Sequence, residues 1–288
     1  MKILDGKKTA GEIVRNLKLK IAGLKRKKIF PKLVIILVGD DQASLSYIKA
    51  KVNAAKEAGI ISELITYKPS EITTEKLINR INRLNNDKSV NGILVQVPLP
   101  EHIYAPEVFK AINPYKDVDG FTAYNLGKTF LNSEFEELAP CTPLGIIRLL
   151  EAYKIKITGR EAVVVGASNL VGKPMTIMLI NRRATVTDCH SKTKDLGRHT
   201  RNADILIVAV GKEKLITAGM VKKGAVIVDV GSNRNKLGKI VGDVDYAGVA
   251  KKASFMTPVP GGVGPMTVAC LMENVYKATL KQIDKGML

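Results

Sequence analysis

The sequence predicts an α/β protein with two domains, each built on parallel strands covered by helices. Two observations carry this. Strand-like and helix-like stretches alternate through the first third of the chain, and a second alternating run begins near residue 162. The length agrees, since 288 residues suit two cores of roughly 130–150 residues better than one.

The elements follow in order. Ala10, Ile13, Val14, Leu17, Ile21 and Leu24 recur at helical spacing, with lysines mostly on the other face. KLVIILV (32–38) is continuously apolar after Lys32 and predicts a buried strand. A helix is expected from about Ser44 to Ala58, stopped by Gly59. SELITY (62–67) predicts a strand, Thr73–Leu84 a helix, and GILVQV (92–97) a strand. VPLP (97–100) and INPYKDVDG (112–120) read as loops. CTPLGIIRLLEAY (141–153) predicts a helix capped by Thr142, with Pro143 in its first turn. AVVVG (162–166), ATVTD (184–188), ADILIVAVG (203–211) and AVIVDVG (225–231) predict strands, with helices ending near Asn181 and around 193–201 between them. This run predicts a Rossmann-type domain over 140–265. The last helix, Met266–Lys281, follows that domain and is expected to return to the first, giving a discontinuous N-terminal αβα domain of 1–139 plus 266–288.

Composition excludes several classes. With 45% hydrophobic and 25% charged residues the chain is neither disordered nor of low complexity. No apolar stretch approaches the roughly 18–20 residues of a membrane helix, and the N-terminus has no apolar signal core, so a cytoplasmic protein without membrane contact is expected. Cys141, Cys189 and Cys270 form no C-x-x-C pair, and His102, His190 and His199 lack ligand spacing, so neither a disulfide framework nor a metal site is expected. The net charge is +18, and residues 1–30 hold ten Lys/Arg against two acids. That balance suits solubility or a polyanionic ligand. With 5% aromatics and no Trp there are few stacking platforms for single strands, and nucleic-acid binding is not expected.

Four constellations carry chemistry. GASNLVGKP follows the strand AVVV; its glycines, Gly166 and Gly172, fit a strand-to-helix turn that lets backbone N–H groups approach a pyrophosphate. Ala167 follows the first glycine, and Ser168 stands where G-x-G-x-x-G has its second. After ATVTD, Asp188 occupies the place where an acid meets ribose hydroxyls, while Ser191, Lys192 and Lys194 offer donors for a 2′-phosphate. Both NAD and NADP fit these residues. TPVPGGVGPMT (257–267) holds three glycines and three prolines in eleven residues. Such a bare backbone suits close ligand approach, since GGVG has little packing value of its own, and Gly264–Pro265 are expected to start a helix. In SYIKAKV, Tyr47 and Lys51 share a helix face, although Lys49 and Lys56 are equally available by composition. Gln96 is a polar residue at an apolar strand end and needs partners. Asp117 and Asp119 place two carboxylates in a loop, suited to accepting N–H groups.

Taken together, VGDDQASLSYIKAKVNAAKEAGI, NGILVQVPLP, INPYKDVDGF, APCTPLGI, VVVGASNLVGKPM, ATVTDCHSKT and TPVPGGVGPMT resemble the bifunctional methylenetetrahydrofolate dehydrogenase/cyclohydrolase (FolD) family, in its order and spacing over nearly the whole chain. The resemblance implies an N-terminal catalytic, folate-binding domain, a dinucleotide-binding domain and a cleft between them. It implies oxidation of 5,10-methylenetetrahydrofolate with NADP and hydrolysis of the methenyl product to 10-formyltetrahydrofolate, in one-carbon metabolism and purine biosynthesis. The alternative is an NAD-dependent dehydrogenase with little hydrolysis. Carried over by position, the catalytic lysine falls on Lys51, its paired tyrosine on Tyr47, the glutamine that bonds the lysine on Gln96, and the aspartate that grips the pterin on Asp119. Pro260, Gly261 and Gly262 fall at the substrate, and Gly166, Ala167, Ser168, Gly172, Ser191, Lys192 and Gly211 at the dinucleotide. Many members have Arg where this chain has Ala167. The resemblance also implies a homodimer and a folate substrate, whose polyglutamate tail a positive rim would attract.

Overall fold

The computed structural model describes residues 1–235 and 237–287; Lys236 and Leu288, which the expected domain ranges include, lie outside the described residues. The chain forms two compact units. One comprises Gly11–Lys128, Glu136–Cys141 and Val268–Leu288; the other comprises Met1–Ala10, Thr129–Phe135 and Thr142–Thr267. The second therefore takes the first ten residues, which the sequence division had placed with the other domain. The reason is a strand pairing: Lys2 and Ile3 lie beside Phe255 and Met256 in parallel register.

In chain order the strands are β1 (Lys2–Ile3), β2 (Lys32–Val38), β3 (Ile61–Tyr67), β4 (Gly92–Val95), β5 (Glu161–Val165), β6 (Thr185–Cys189), β7 (Ile205–Val208), β8 (Val226–Asp229), β9 (Asn233–Arg234), β10 (Ile240–Val241) and β11 (Phe255–Met256). The helices are α1 (Gly6–Arg26), α2 (Gln42–Ala58), α3 (Thr74–Asn86), α4 (Ala105–Ala111), α5 (Ala123–Leu131), α6 (Cys141–Ala152), α7 (Gly172–Asn181), α8 (Leu196–Thr200), α9 (Tyr246–Val249) and α10 (Val263–Asp284).

The smaller sheet has the order β3-β2-β4, all parallel. β2 is buried along nearly its whole length, as its unbroken apolar run requires. Val34, Ile36, Leu77, Ile81, Ile93 and Val108 belong to one core beneath it. Local chemistry sets the helix ends. Asp41 accepts from the Ser44 N–H at 2.7 Å to cap α2, and Gly59 closes it in the left-handed region at φ 84°. Thr73 caps α3 through the Lys76 N–H. Because β3 and β4 flank β2 on opposite sides, the chain changes direction across the sheet at the β2/β4 junction. In parallel α/β sheets this switch point, at the carboxyl ends of the strands, is where ligands bind.

The larger sheet has the order β1-β11-β8-β7-β5-β6, with every pairing parallel. From β6 to β11 the order reads 2-1-3-4-5. This is the doubly wound arrangement in which the third strand already crosses to the far side of the first, so the switch point lies between β5 and β7. Val163, Val165, Leu206, Val208, Ile227 and Met256 form its core. β9 and β10 make a separate antiparallel pair.

Two local expectations change. Thr142 lies inside α6 rather than capping it, and its hydroxyl meets that of Thr267 at 3.1 Å. The last helix starts at Val263, before Gly264 and Pro265, and runs on to Asp284. Among the described residues, no helix is long and apolar enough to cross a membrane.

Candidate functional site

The three-stranded unit gathers four of the sequence-predicted residues at its switch point. α2 leaves the end of β2 and carries Tyr47 and Lys51 one turn apart. Tyr47 keeps 38% of its surface exposed, whereas Lys51 keeps 8%. Gln96 follows the last residue of β4; its N–H bonds the Ile36 carbonyl at 2.8 Å, which continues the sheet and fixes its position. The Lys51 Nζ donates to Gln96 Oε1 at 2.9 Å, and Gln96 Nε2 donates to the Val97 carbonyl at 2.6 Å. Both faces of the amide are thus used, and its oxygen is committed to the lysine. Lys49 and Lys56, equal candidates by composition, are both exposed.

The two aspartates of DVDG part company. Asp117 continues the sheet beside Ile93 and is buried. One of its oxygens accepts from the N–H groups of Gly120 and Phe121 at 2.9 and 3.2 Å. The other accepts from the Thr122 N–H, the Thr122 hydroxyl and Asn125 Nδ2, at 2.9, 2.7 and 2.9 Å. This carboxylate is spent on shaping the loop. Asp119 carries no such load. Part of its surface remains accessible, yet burial raises its pKa, opposed mainly by the positive charge of Lys51; Asp117 adds to the rise and a bond from Cys141 opposes it. The acid and the base therefore share one local field.

Gly120 must be glycine. Its φ is +76°, and a Cβ there would lie 2.6 Å from the Ala139 carbonyl carbon and the Pro140 nitrogen. Behind it, Asn274 Nδ2 donates to the Val118 and Ala139 carbonyls, both at 3.0 Å, and the Cys141 thiol donates to the Val118 carbonyl at 3.2 Å. Burial, then the charge of Asp119, lift the Cys141 thiol well above its ordinary pKa, so it stays protonated as a donor. Asn125, Cys141 and Asn274 were not assigned roles from sequence, and Asp117 was not told apart from Asp119. An Asp followed by Gly at +3 and Thr at +5 is a readable loop-capping signal for Asp117. Nothing local marks Cys141 or Asn274.

The unit with the six-stranded sheet holds the remaining candidates. Gly166, directly after β5, has φ +124°, and a Cβ there would meet the Ala209 carbonyl oxygen at 2.2 Å, at the β5/β7 switch point. A Cβ on Gly172 would lie 1.6 Å from the Gly166 carbonyl oxygen. The turn is thus closed on itself by two glycines. Ala167 is partly exposed and Ser168 exposed on it. The Ser168 hydroxyl accepts from the Val171 and Gly172 N–H groups at 3.2 and 3.4 Å, standing in for a missing glycine by capping the start of α7. Near the end of β6, Asp188 lies at the surface with its pKa raised, first by the protein beneath it and against the charges of His190 and Lys173. Ser191 and Lys192 are both exposed in the turn that follows.

Gly211 sits at φ +69° and donates its N–H to Asp243 Oδ2 at 3.0 Å. Asp243 also holds the Val210 and Lys212 N–H groups, at 2.7 and 2.8 Å. Its neighbour Asp229 accepts from Gly231, Asp243 and Val244. Burial nevertheless pushes the Asp229 pKa up to about 6, with the Asp243 charge adding to it. A carboxyl with a folded pKa above its unfolded value stabilises the fold fully below the unfolded value, 3.8. That contribution fades as pH rises through about 6. The difference is about 3 kcal/mol. Carbon-13 titration of the Asp229 carboxyl should show a midpoint near pH 6. A midpoint near 4 would contradict the burial argument.

The loop 257–262 departs from expectation in one respect. Gly262 is buried, and its carbonyl oxygen would lie 1.8 Å from a Cβ on Gly6; Lys7 donates to the Gly261 carbonyl at 2.9 Å. The bare backbone here therefore does pack, against the start of α1. Pro260 is exposed and Gly261 partly so, at φ +108°.

Residues 4–119 match the family model described as tetrahydrofolate dehydrogenase/cyclohydrolase, catalytic domain, and residues 140–283 match its NAD(P)-binding domain. The chain is 54% identical to the bifunctional protein FolD of Wolinella succinogenes, over 96% of each chain. It is 51% identical to that of Nautilia profundicola, over 96% of this chain and 97% of the relative. Among solved structures, the bifunctional dehydrogenase/cyclohydrolase of Campylobacter jejuni superposes with a TM-score of 0.93 at 50% identity, covering 98% of this chain and 99% of that one. The Trypanosoma brucei enzyme, complexed with NADP cofactor and inhibitor, gives 0.93 at 32% identity over 98% of each.

Proposed function

The chain belongs to the tetrahydrofolate dehydrogenase/cyclohydrolase family, and on that premise we propose how its own residues carry the two reactions. The enzyme is bifunctional: it oxidises 5,10-methylenetetrahydrofolate to the methenyl form and hydrolyses that to 10-formyltetrahydrofolate. The observation that carries the assignment is the buried Lys51–Gln96 contact, which shares its field with Asp119.

Asp119 binds the pterin edge, its carboxylate accepting two N–H groups of the aminopyrimidinone. Tyr47 packs its exposed ring on the bound substrate. In the hydrolytic step water adds to the methenyl carbon, Lys51 accepts the proton released, and cleavage of one carbon–nitrogen bond leaves the formyl group. Gln96 holds the lysine amine in place through its oxygen. Asp119→Ala should raise the folate KM at least ten-fold, leave dinucleotide KM unchanged, and keep the fold intact. An unchanged folate KM would remove the pterin contact.

The turn of Gly166, Ala167, Ser168 and Gly172 fits a dinucleotide pyrophosphate, because it leads from the end of β5 into the N-terminus of α7 and its two glycines let strand end and helix start close together. Gly211 contributes backbone from the loop after β7, and substrate contact is assigned to Pro260 and Gly261, which stay accessible. The dinucleotide, when bound, supplies the hydride acceptor. We assign NADP: Ser191 and Lys192 offer a hydroxyl and a cation beyond β6, and NADP accompanies the T. brucei relative. Methylenetetrahydrofolate-dependent reduction should show higher kcat/KM with NADP than with NAD, and Lys192→Ala should narrow the gap. Equal use of both would refute the assignment.

The surplus of cations suits a polyglutamate tail, so salt should raise KM more for long tails than for the monoglutamate. A cytoplasmic homodimer completes the reading, with sedimentation equilibrium expected to return twice the chain mass.

A further inference from the structure

A polar cavity lies in the three-stranded unit, and Lys51, Gln96 and Asp119 are not among its lining residues. Its volume is about 210 Å³. One wall is aromatic: Tyr115 and Tyr124 stand with ring centroids 6.4 Å apart, inclined at 51°. The opposite chemistry is cationic, from Lys128 on α5, Lys281 in the last turn of α10, and Lys285 just beyond it. Lys128 also lies over the Tyr124 ring, 5.7 Å from its centroid.

Lys128 and Lys281 both donate to the same oxygen of Glu137. Two ammoniums sharing one oxygen stand within roughly 6 Å of each other, twice a hydrogen-bond length. One carboxylate cannot neutralise two cations, and Lys285 adds a third. The cavity therefore carries a net charge of about +2, with donor hydrogens left on every ammonium. Asn125 fixes its floor, since its side-chain amide is tied to the Pro114 carbonyl at 3.0 Å and to Asp117 at 2.9 Å.

We propose that this cavity is a binding site for a small, flat dianion: one ring bearing a phosphate or equivalent doubly charged group. The rings supply a face for a planar body. The three lysines match a phosphomonoester, which carries about −1.5 to −2 charges at neutral pH. The size admits one ring with its substituent, since a cavity of about 150 Å³ holds benzene. Glu137 is the internal competitor that an incoming anion must displace or share cations with.

Phenyl phosphate is the probe, titrated calorimetrically into the full-length enzyme with NADP held at saturation so that the dinucleotide site is occupied. One equivalent should bind saturably. Lys285→Glu should weaken binding at least ten-fold, and because Lys285 is exposed the variant should melt like the parent and keep full dehydrogenase activity. Glu137→Gln should tighten binding several-fold by removing the competitor. Phenol and inorganic phosphate should each bind at least ten-fold more weakly than phenyl phosphate. Absence of saturable binding, affinity indifferent to both substitutions, or inorganic phosphate binding as tightly as the probe would each overturn the proposal.

Discussion

Lys51→Met is expected to lower methenyltetrahydrofolate hydrolysis by about 10²–10⁴-fold, the usual contribution of a positioned proton acceptor. Dinucleotide and folate should still bind, because the substitution keeps an unbranched side chain of similar length. Removing the amine leaves Gln96 Oε1 without its donor in a buried setting, at a cost of about 1–3 kcal/mol. That loss is small enough for the variant to be assayed folded. Lys51→Arg separates charge from proton acceptance. Arginine keeps the cation and can still donate to Gln96, but it does not deprotonate in proteins. If Lys51 acts as the acceptor, arginine should be nearly as inactive as methionine in the hydrolytic assay. Stopped-flow loss of methenyl absorbance measures this directly. Retained hydrolysis in Lys51→Arg would mean that a fixed positive charge suffices, and would end the base role.

How much of this was legible depends on how local the cause is. β2 was readable because six apolar residues in a row, Leu33–Val38, fit a strand buried on both faces. Gly59 was readable as a helix stop, since its left-handed conformation is a property of one residue. β1 and β11 were not readable. Each has two residues, too few for any periodicity, and β1 exists only because a partner some 250 residues away offers an edge. The packing of Gly262 was hidden for the same reason: its carbonyl oxygen fills the space that a Cβ on Gly6, far off in sequence, would need. Lys51 was singled out by spacing to Tyr47 and by resemblance. What separates it from Lys49 and Lys56 is burial against Gln96, a tertiary fact. The pair in DVDG was visible but undivided. Sequence gives two carboxylates; only the loop geometry shows that one is fully occupied and the other available.

That division makes Asp117 the residue whose removal should damage the fold of the site most. Asp117→Ala strands five donors at once: three backbone N–H groups, one hydroxyl and one amide. Each buried orphan costs about 1–3 kcal/mol, and although such costs are not additive, a total of about 3–5 kcal/mol is expected. Urea unfolding of the three-stranded unit should register it. The functional consequence follows from position. The donors belong to residues 120–125, immediately after Asp119, and Thr122 also caps the start of α5 through the Asn125 N–H at 3.3 Å. With the loop released, Asp119 loses its fixed orientation, and folate KM should rise at least as far as in Asp119→Ala. Asp117→Asn distinguishes shape from charge. An amide offers one acceptor oxygen and presents N–H hydrogens to groups that are themselves donors, so it should recover little of the lost stability. If Asp117→Asn were as stable as the parent, the loop would be held by packing around Gly120, Ala139 and Asn274 instead, and the carboxylate would be dispensable.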